Sequence, residues 1–322
     1  MAAGLGTRLK PFSDVLPKPL LPVLGVPTAQ FALDALRSAG VTTVVANVHH
    51  LPDLTAQGLR NLDLGAMNLL ISDERGELLG SAGGIKKAQA QLSNEPFFLL
   101  NSDVVCDVDL DALRLRHLDL RKRYGVTLTL AVFRKAPPGA DYREIIVNPR
   151  TGLVESLGEL RSEAPFFVGA AVLEPGAPAG VPASGPAEFV PSILRPAIER
   201  GLAGAWVTDG TWYDIGSPDL WMRAHLELLR QLETGERLPQ NWRSRLESAN
   251  RRVGHQAWIK KESLSRARFS RIAGPSYWSA LETEDRAPKN LGPFGVLYGQ
   301  APAPDFERGI GFSGKFFRTN GS

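Results

Sequence analysis

Four charged residues stand where their types could handle a phosphorylated ligand: Arg8 and Lys18 near the start of the chain, and Asp103 and Asp214 far downstream. Arg8 offers a planar fork for phosphate oxygens, and Lys18 a compact charge that reaches the same anion from another side. Between and before them, Gly4 and Gly6 free the backbone to approach a ligand closely, and a loop of this kind presents outward-pointing amides to a polyphosphate. Pro11, Pro17, Pro19 and Pro22 fix φ and withhold hydrogen-bond donors, so Lys18 is expected on a stiff, irregular segment. The G-x-G lacks the third glycine of a dinucleotide fingerprint, and no G-x-x-x-x-G-K-[ST] occurs anywhere in the chain. Phosphoryl-type transfer draws its rate from positioning and charge stabilisation, usually with Mg²⁺ held by one or two carboxylates. Asp103 closes the run FFLLNSD, and Asp214 lies in WYDIGSPD ahead of a helix. By themselves they also read as a turn residue and an acceptor near a helix start.

The elements that must position these residues alternate. Val41–Val48, Met67–Ser72, Pro96–Asn101, Val126–Phe133, Ile145–Asn148 and Phe167–Leu173 read as short, β-branched or apolar strands. Gln30–Ala39, Ile85–Gln91, Phe189–Arg200 and Leu220–Leu232 show helical spacing. The order argues for an α/β fold, doubly wound around a mostly parallel, Rossmann-like sheet. In such folds ligands lie beyond the carboxyl ends of the strands. Asn47–His50, Gly80–Gly84, Asn101–Asp103 and Trp212–Gly216 are the candidate loops.

The stretch Gly4 to Val23, GLGTRLKPFSDVLPKPLLPV, resembles the signature of the sugar-1-phosphate nucleotidyltransferases, and the likeness extends to about residue 232. The motifs N-x-D after a buried strand, W-x-D-x-G-(S/T)-P and L-G-(S/T)-A-G-G accompany it, here at Asp103, Asp214 and Leu79–Gly84. The resemblance implies a loop that holds a nucleoside triphosphate through Ala3, Gly4, Gly6 and Thr7, with Arg8 and Lys18 as catalytic residues that neutralise the departing pyrophosphate. It implies Asp103 and Asp214 as carboxylates for Mg²⁺, and Gly83, Gly84 and Ser102 on the nucleotide side. Phe167-Val168-Gly169 is similar to the segment beside the sugar, where Gly169 would allow close approach. Relatives often carry Glu-Lys-Pro at the sugar; here the region reads Gly158-Glu159-Leu160-Arg161, with Glu159 as the sugar-side acid. Either Arg161 replaces the lysine or the phosphate is held otherwise. The pattern is closer to muramate-1-phosphate uridylyltransferases and mannose-1-phosphate guanylyltransferase-like proteins than to thymidylyl enzymes. Nucleobase and sugar stay open. The family also places five or six apolar residues, a central first strand, before the loop, where only Met1-Ala2-Ala3 stand. A truncated first strand is therefore expected, each buried orphan ladder group costing about 1–3 kcal/mol.

Size and composition set the outer bounds. A chain of 322 residues accommodates a large domain and a smaller one, at roughly 100 to 200 residues per domain. With 43% apolar and 22% charged residues it has the make-up of a globular protein. A single cysteine, Cys106, rules out an intrachain disulfide and a multi-thiolate zinc site, which fits a cytoplasmic setting. There is no apolar run of roughly 18 residues and no signal-peptide pattern at the N-terminus.

The net charge of +3 is unevenly spread, with ten basic residues against two acidic ones between Arg237 and Arg271. Such a run attracts polyanions, but few aromatics interleave it, so a solvated linker or subunit contact is favoured over nucleic-acid binding. The domain reading is 1–232 for nucleotidyl transfer, 233–252 as a basic linker, and 253–322 as a small β-rich unit. Weak hexapeptide-like spacing across Trp258, Leu264, Ile272 and Trp278 would suit a degenerate β-helix and assembly into a homo-oligomer. Two functions compete with catalysis: a nucleotide or sugar-phosphate sensor on the same fold, and a polyanion-binding protein. Retention of Arg8, Lys18, Asp103 and Asp214 together favours the enzyme, because a sensor needs no paired metal carboxylates.

Overall fold

The computed structural model describes residues 1–137, 141–235 and 238–253. It divides into two compact units, residues 1–21 with 27–221, and residues 22–26 with the described residues from 222 on. The β-rich unit expected at 253–322 and most of the basic run lie outside the described residues.

Helices and strands alternate along the chain, and the first unit is a mixed α/β structure. After three 3₁₀ turns at Thr7–Leu9, Phe12–Asp14 and Lys18–Leu20 come the short strands β1 (Pro22–Val23) and β2 (Val26–Pro27), then α1 (Thr28–Ser38) and β3 (Thr43–Val48). The chain continues through α2 (Pro52–Arg60), β4 (Asn68–Asp73), α3 (Gly80–Gln89), β5 (Phe97–Leu100), β6 (Val104–Cys106), α4 (Leu110–Tyr124) and β7 (Leu128–Phe133). A hairpin of β8 (Tyr142–Val147) and β9 (Val154–Arg161) precedes β10 (Phe166–Leu173). A π-helical turn at Val190–Leu194 runs into α5 (Arg195–Glu199), followed by β11 (Ala203–Thr208), β12 (Trp212–Asp214) and α6 (Pro218–Thr234).

The expectation of a mostly parallel sheet is met in part. β3 and β4 pair in parallel, as do β7 and β11. β10, however, runs antiparallel to β5, β7 and β8, and the pairs β8/β9 and β6/β12 are also antiparallel. The short turn between β8 and β9 suits an antiparallel pair, and β10 continues in the direction of β9 on the other side of β8. The main sheet runs β11-β7-β10-β8-β9, with β5 on β10 as well. One edge of β10 is thus shared, by β8 at Phe166 and by β5 from Ala170 onward, while its register with β7 shifts between Phe167 and Ala171.

β7 is buried along its whole length, and so is nearly all of β10. One apolar cluster, including Leu128, Leu130, Val132, Ala171 and Leu173, packs against Ile193, Leu194 and Ala197. The other, on residues of opposite parity, joins Ala131, Phe133, Ala170 and Val172 to Leu33, Leu36, Leu110 and Leu113. Alternating side chains therefore feed two apolar layers, as a sheet covered on both faces requires.

In the second unit the segment expected as a linker is helical: α6 runs to Thr234 and α7 spans Gln240–Val253. Leu238, Trp242 and Leu246 are buried, which gives this basic segment an apolar side that charge counting alone conceals.

α4 carries a buried polar network. His117 is fully buried, and its ring nitrogens lie 2.9 Å from Thr129 Oγ1 and 3.0 Å from Glu174 Oε1. Arg121 Nε is a further 3.0 Å partner of Glu174. Burial, opposed by Glu174, holds the His117 pKa below its ordinary value of 6.5. In the unfolded chain this histidine protonates more readily, so the unfolded state binds more protons as pH falls through about 6.5, and stability falls with it. We predict a loss of up to about 1.4 kcal/mol per pH unit below 6.5 from this group. His117→Gln, which retains a donor and an acceptor, should flatten that part of the profile. Thermal unfolding of both proteins from pH 7.5 to 5 checks it; parallel profiles would refute the assignment.

Candidate active site

The two aspartates meet because β6 and β12 pair. Their antiparallel register sets Trp212 opposite Cys106, Tyr213 opposite Val105 and Asp214 opposite Val104, which places Asp214 beside Asp103, the residue that precedes β6. The ladder is anchored from below. Trp212 Nε1 donates to the Val168 carbonyl at 3.0 Å, and the Trp212 ring packs edge-on against Phe166 and Tyr142.

Lys18 arrives from the opening loop. Its side chain is mostly buried, and Nζ donates to Asp103 Oδ2 at 2.6 Å. The expected stiff segment is realised as a 3₁₀ turn, Lys18–Leu20, entered through Pro17. Gly6 has φ +63°, in the left-handed region, and its Cα lies against Ser13. Ser13 Oγ donates to the Gly6 carbonyl at 2.8 Å, and Leu9 N–H closes the turn on the same carbonyl at 2.8 Å. Phe12 packs edge-on against Trp221 with ring centroids 5.4 Å apart. His50 Nε2 lies 2.6 Å from the Ser13 carbonyl, so the turn after β3 braces the loop. His49 Nδ1 is 2.7 Å from the Glu74 carbonyl; the adjacent histidines thus serve two separate backbone sites.

Arg8, exposed on the loop, lies against Gly216. A Cβ at Gly216 would stand 2.7 Å from Arg8 Nη2 and 2.8 Å from Asp214 Oδ1. The Gly216 amide donates to Asp214 Oδ1 at 2.7 Å, and the Tyr142 hydroxyl lies 3.5 Å from Oδ2. Burial raises the Asp214 pKa; Lys18, the Gly216 amide and Arg8 oppose the rise, and the neighbouring Asp103 carboxylate adds to it. Arg8, Lys18, Asp103 and Asp214 therefore form one electrostatic group. Sequence reasoning assigns no role to Gly216 or Tyr142, although Gly216 belongs to the same short motif as Asp214.

The remaining candidates fall into three settings. Gly4 and Thr7 are exposed on the loop, with open space around the Gly4 Cα, while Ala3 is buried beneath it. Ser102 is buried and its hydroxyl donates to the Met1 carbonyl at 2.7 Å. Gly83 and Gly84 lie in α3, whose start is tied to residues 185–189. The Ala82 and Gly83 amides donate to the Ala187 carbonyl at 2.7 and 3.2 Å, and Ser81 Oγ to Glu188 at 2.5 Å. A Cβ at Gly84 would lie 2.8 Å from Glu74 Oε1 and 2.9 Å from Asn47 Nδ2. Glu74 itself carries no signal in the sequence that would single it out. It is buried, its Oε1 accepts from Asn47 Nδ2 at 2.9 Å, and burial raises its pKa. Asn47 Oδ1 in turn accepts from the Ala2 amide at 2.8 Å, so this polar chain reaches the base of the loop.

The two sugar-side candidates are not brought to the carboxylates in the same way. Gly169 (φ +88°) occupies the register shift of β10, and its Cα faces the Asn101 side chain; the Asn101 backbone N–H donates to the Gly169 carbonyl at 2.8 Å. A glycine here is what the bulge and the close Asn101 contact require. Glu159 is exposed on β9, at the sheet edge, and no hydrogen bond or ion pair ties it to Asp103 or Asp214. Its neighbour Arg161 lies 3.6 Å from Glu144.

As a donor set, two carboxylates suit a hard divalent cation whose other ligands are phosphate oxygens and water. Repulsion between Asp103 and Asp214 is what such an ion would relieve, so the residues present fit Mg²⁺. No cluster of three or more His, Cys, Asp or Glu arranged for a metal occurs among the described residues.

Known proteins resemble this chain in sequence and in fold. Residues 1–159 match the family model described as nucleotidyl transferase. The chain is 32% identical over 237 residues to an N-acetylmuramate alpha-1-phosphate uridylyltransferase of Caulobacter vibrioides, covering 71% of this chain and 95% of that one. It is 30% identical over 248 residues to mannose-1-phosphate guanylyltransferase 1 of Arabidopsis thaliana, covering 72% of this chain and 65% of the plant enzyme. Among solved structures, HddC from Yersinia pseudotuberculosis complexed with GMP-PN shares the fold with a TM-score of 0.58 at 22% identity, covering 70% and 96% of the two chains. A UDP-glucose pyrophosphorylase complexed with UDP-glucose gives 0.57 at 19%, covering 71% and 97%. On the strength of the match along nearly the whole uridylyltransferase, joined to the signature loop and the paired aspartates, the chain belongs to the sugar-1-phosphate nucleotidyltransferases.

Proposed function

We propose that this enzyme condenses a sugar 1-phosphate with a nucleoside triphosphate by direct in-line displacement. The observation that carries the reading is the convergence of Lys18, Arg8, Asp103 and Asp214 from three separate segments onto one point of the β6/β12 ladder. A phosphate oxygen of the sugar 1-phosphate forms the new bond to the α-phosphorus, and the bond to the bridging oxygen of pyrophosphate breaks. The protein supplies no nucleophile.

The chain's own residues bind and orient. The loop from Gly4 to Arg8, exposed at Gly4, Thr7 and Arg8, would receive the β- and γ-phosphates, with Arg8 as the bidentate partner and Lys18 able to move from Asp103 onto the same phosphates. Asp103 and Asp214 would hold Mg²⁺, which when bound supplies charge neutralisation across both substrates. The Gly216 amide fixes one oxygen of Asp214, and its missing side chain leaves the Arg8 guanidinium room beside that carboxylate. Gly83 and Gly84 support a base-side role for the start of α3. Gly169 acts on the sugar side through the bulge that places Asn101, and Glu159 remains the sugar-side acid of this proposal. No helix among the described residues is long and apolar enough to cross a membrane. A cytoplasmic enzyme that activates sugars for cell-surface glycans is the setting we propose.

A matrix of the common nucleoside triphosphates against sugar 1-phosphates, read as pyrophosphate release with Mg²⁺, tests the reaction. UTP and GTP are the first to try, because the relatives are named for uridylyl and guanylyl transfer. Release with no combination would sink the proposal. Asp103→Asn and Asp214→Asn should each reduce kcat at least about 100-fold, the scale of losing a preorganised charge interaction, with thermal unfolding showing the fold intact. Gly216→Ala should displace Arg8 and Asp214 and lower kcat/KM by about tenfold or more, equivalent to about 1.4 kcal/mol; unchanged kinetics would remove Gly216 from the site.

A further inference from the structure

The Lys18–Asp103 contact does not follow from a lysine whose only partner is a departing pyrophosphate. Its ammonium lies 2.6 Å from Asp103 Oδ2, on a side chain only 10% exposed. The geometry points to a second role for Lys18, that of a positioning residue. It acts as the internal counter-ion of Asp103 and competes with a divalent cation for that carboxylate, so that metal and triphosphate enter together. This inference rests on the reading of Asp103 and Asp214 as the metal carboxylates.

The charges at the site support it. Arg8 and Lys18 balance Asp103 and Asp214, so the group is formally neutral as it stands. A lone divalent ion would add two positive charges next to a mostly buried ammonium, where solvent screens little and like charges repel strongly. A triphosphate without metal would add excess negative charge against the two carboxylates. The metal–triphosphate complex avoids both conflicts, because its phosphates give Lys18 a new partner at the moment Asp103 changes partner. Pro17 and Pro19 restrict the Lys18 backbone, and its side chain is largely withdrawn from solvent where it meets Asp103. Asp214 is less open to this exchange, since the Gly216 amide already holds one of its oxygens.

The test is Mn²⁺ binding to the full chain, followed by electron paramagnetic resonance of the free ion, with inorganic tripolyphosphate as the phosphate probe. Lys18→Met should bind Mn²⁺ alone at least about tenfold more tightly than wild type, and Lys18→Met/Asp103→Asn should lose that gain. Lys18→Arg, which keeps the charge, should bind as weakly as wild type; thermal unfolding confirms that each variant is folded. Wild type should take preformed Mn²⁺–tripolyphosphate at least about tenfold more tightly than Mn²⁺, and Lys18→Met should erase that preference. If Lys18→Met and wild type bind Mn²⁺ equally, and both lose it with Asp103→Asn, the counter-ion role is overturned while the metal reading survives. If no variant binds Mn²⁺ through Asp103, the metal reading falls and the inference with it.

Discussion

Two carboxylates held side by side in a partly desolvated site repel each other, and much of the surrounding structure can be understood as the means of keeping them there. The β6/β12 ladder fixes their separation through backbone pairing rather than side-chain packing, so neither can drift away from the other. Burial first, and repulsion from Asp103 after it, raise the Asp214 pKa, and Lys18, the Gly216 amide and Arg8 oppose the rise. The opening loop therefore has a structural task besides the phosphate binding proposed for it. It delivers the two cations without which this carboxylate pair would be costly to bury.

Delivering cations from a loop demands that the loop be stiff. Prolines provide part of that stiffness, and tertiary contacts provide the rest: Ser13 on Gly6, His50 on Ser13, and Phe12 against Trp221. Leu9 is fully buried beneath the first turn. Below the site, Trp212 is tied to β10 through the Val168 carbonyl, so the ladder that carries Asp214 is referenced to the most deeply buried strands. Rigidity thus passes from core to ladder to carboxylate, as catalysis by positioning requires.

Much of this was legible in the sequence because it is local. The loop, the N-x-D after a buried strand and the W-x-D motif are short patterns whose residue types state their chemistry, and the apolar strands 128–133 and 166–173 are buried enough to leave unbroken runs. What stayed hidden is what depends on pairing at a distance. α4 was obscured because Leu115 and Leu118 are exposed and blur the apolar face formed by Leu110, Leu113 and Leu120. β9 is a polar edge strand, VESLGELR, without the alternation a half-buried strand shows. The antiparallel pairing of β10 with β5 and β7 joins segments far apart in the chain, and no local pattern states it. The role of Gly169 could not be read either, since a glycine that admits a sugar and a glycine that forms a bulge look alike until the partner strand is known.

The same division separates general chemistry from selectivity. In the proposed reaction phosphate handling would rest on backbone amides, fixed charges and a ladder, and these constrain short motifs tightly. Under that proposal, choice of base and sugar would rest on the walls around them: the start of α3 against residues 185–189, the Glu74–Asn47 pair beneath Gly84, and the β8/β9 hairpin where Tyr142 and Glu159 stand. Glu74 is instructive here. Its second carboxylate oxygen and the Ser72 hydroxyl are buried without a hydrogen-bond partner in the structure, on a strand and turn whose neighbour carries Asn47. Unmet polarity of that kind is costly, and natural proteins retain it where another group, a water or a ligand edge, completes it. Keeping the motifs of the centre fixes what reaction is run, and leaves the identity of its substrates to residues whose meaning appears only once the chain is folded.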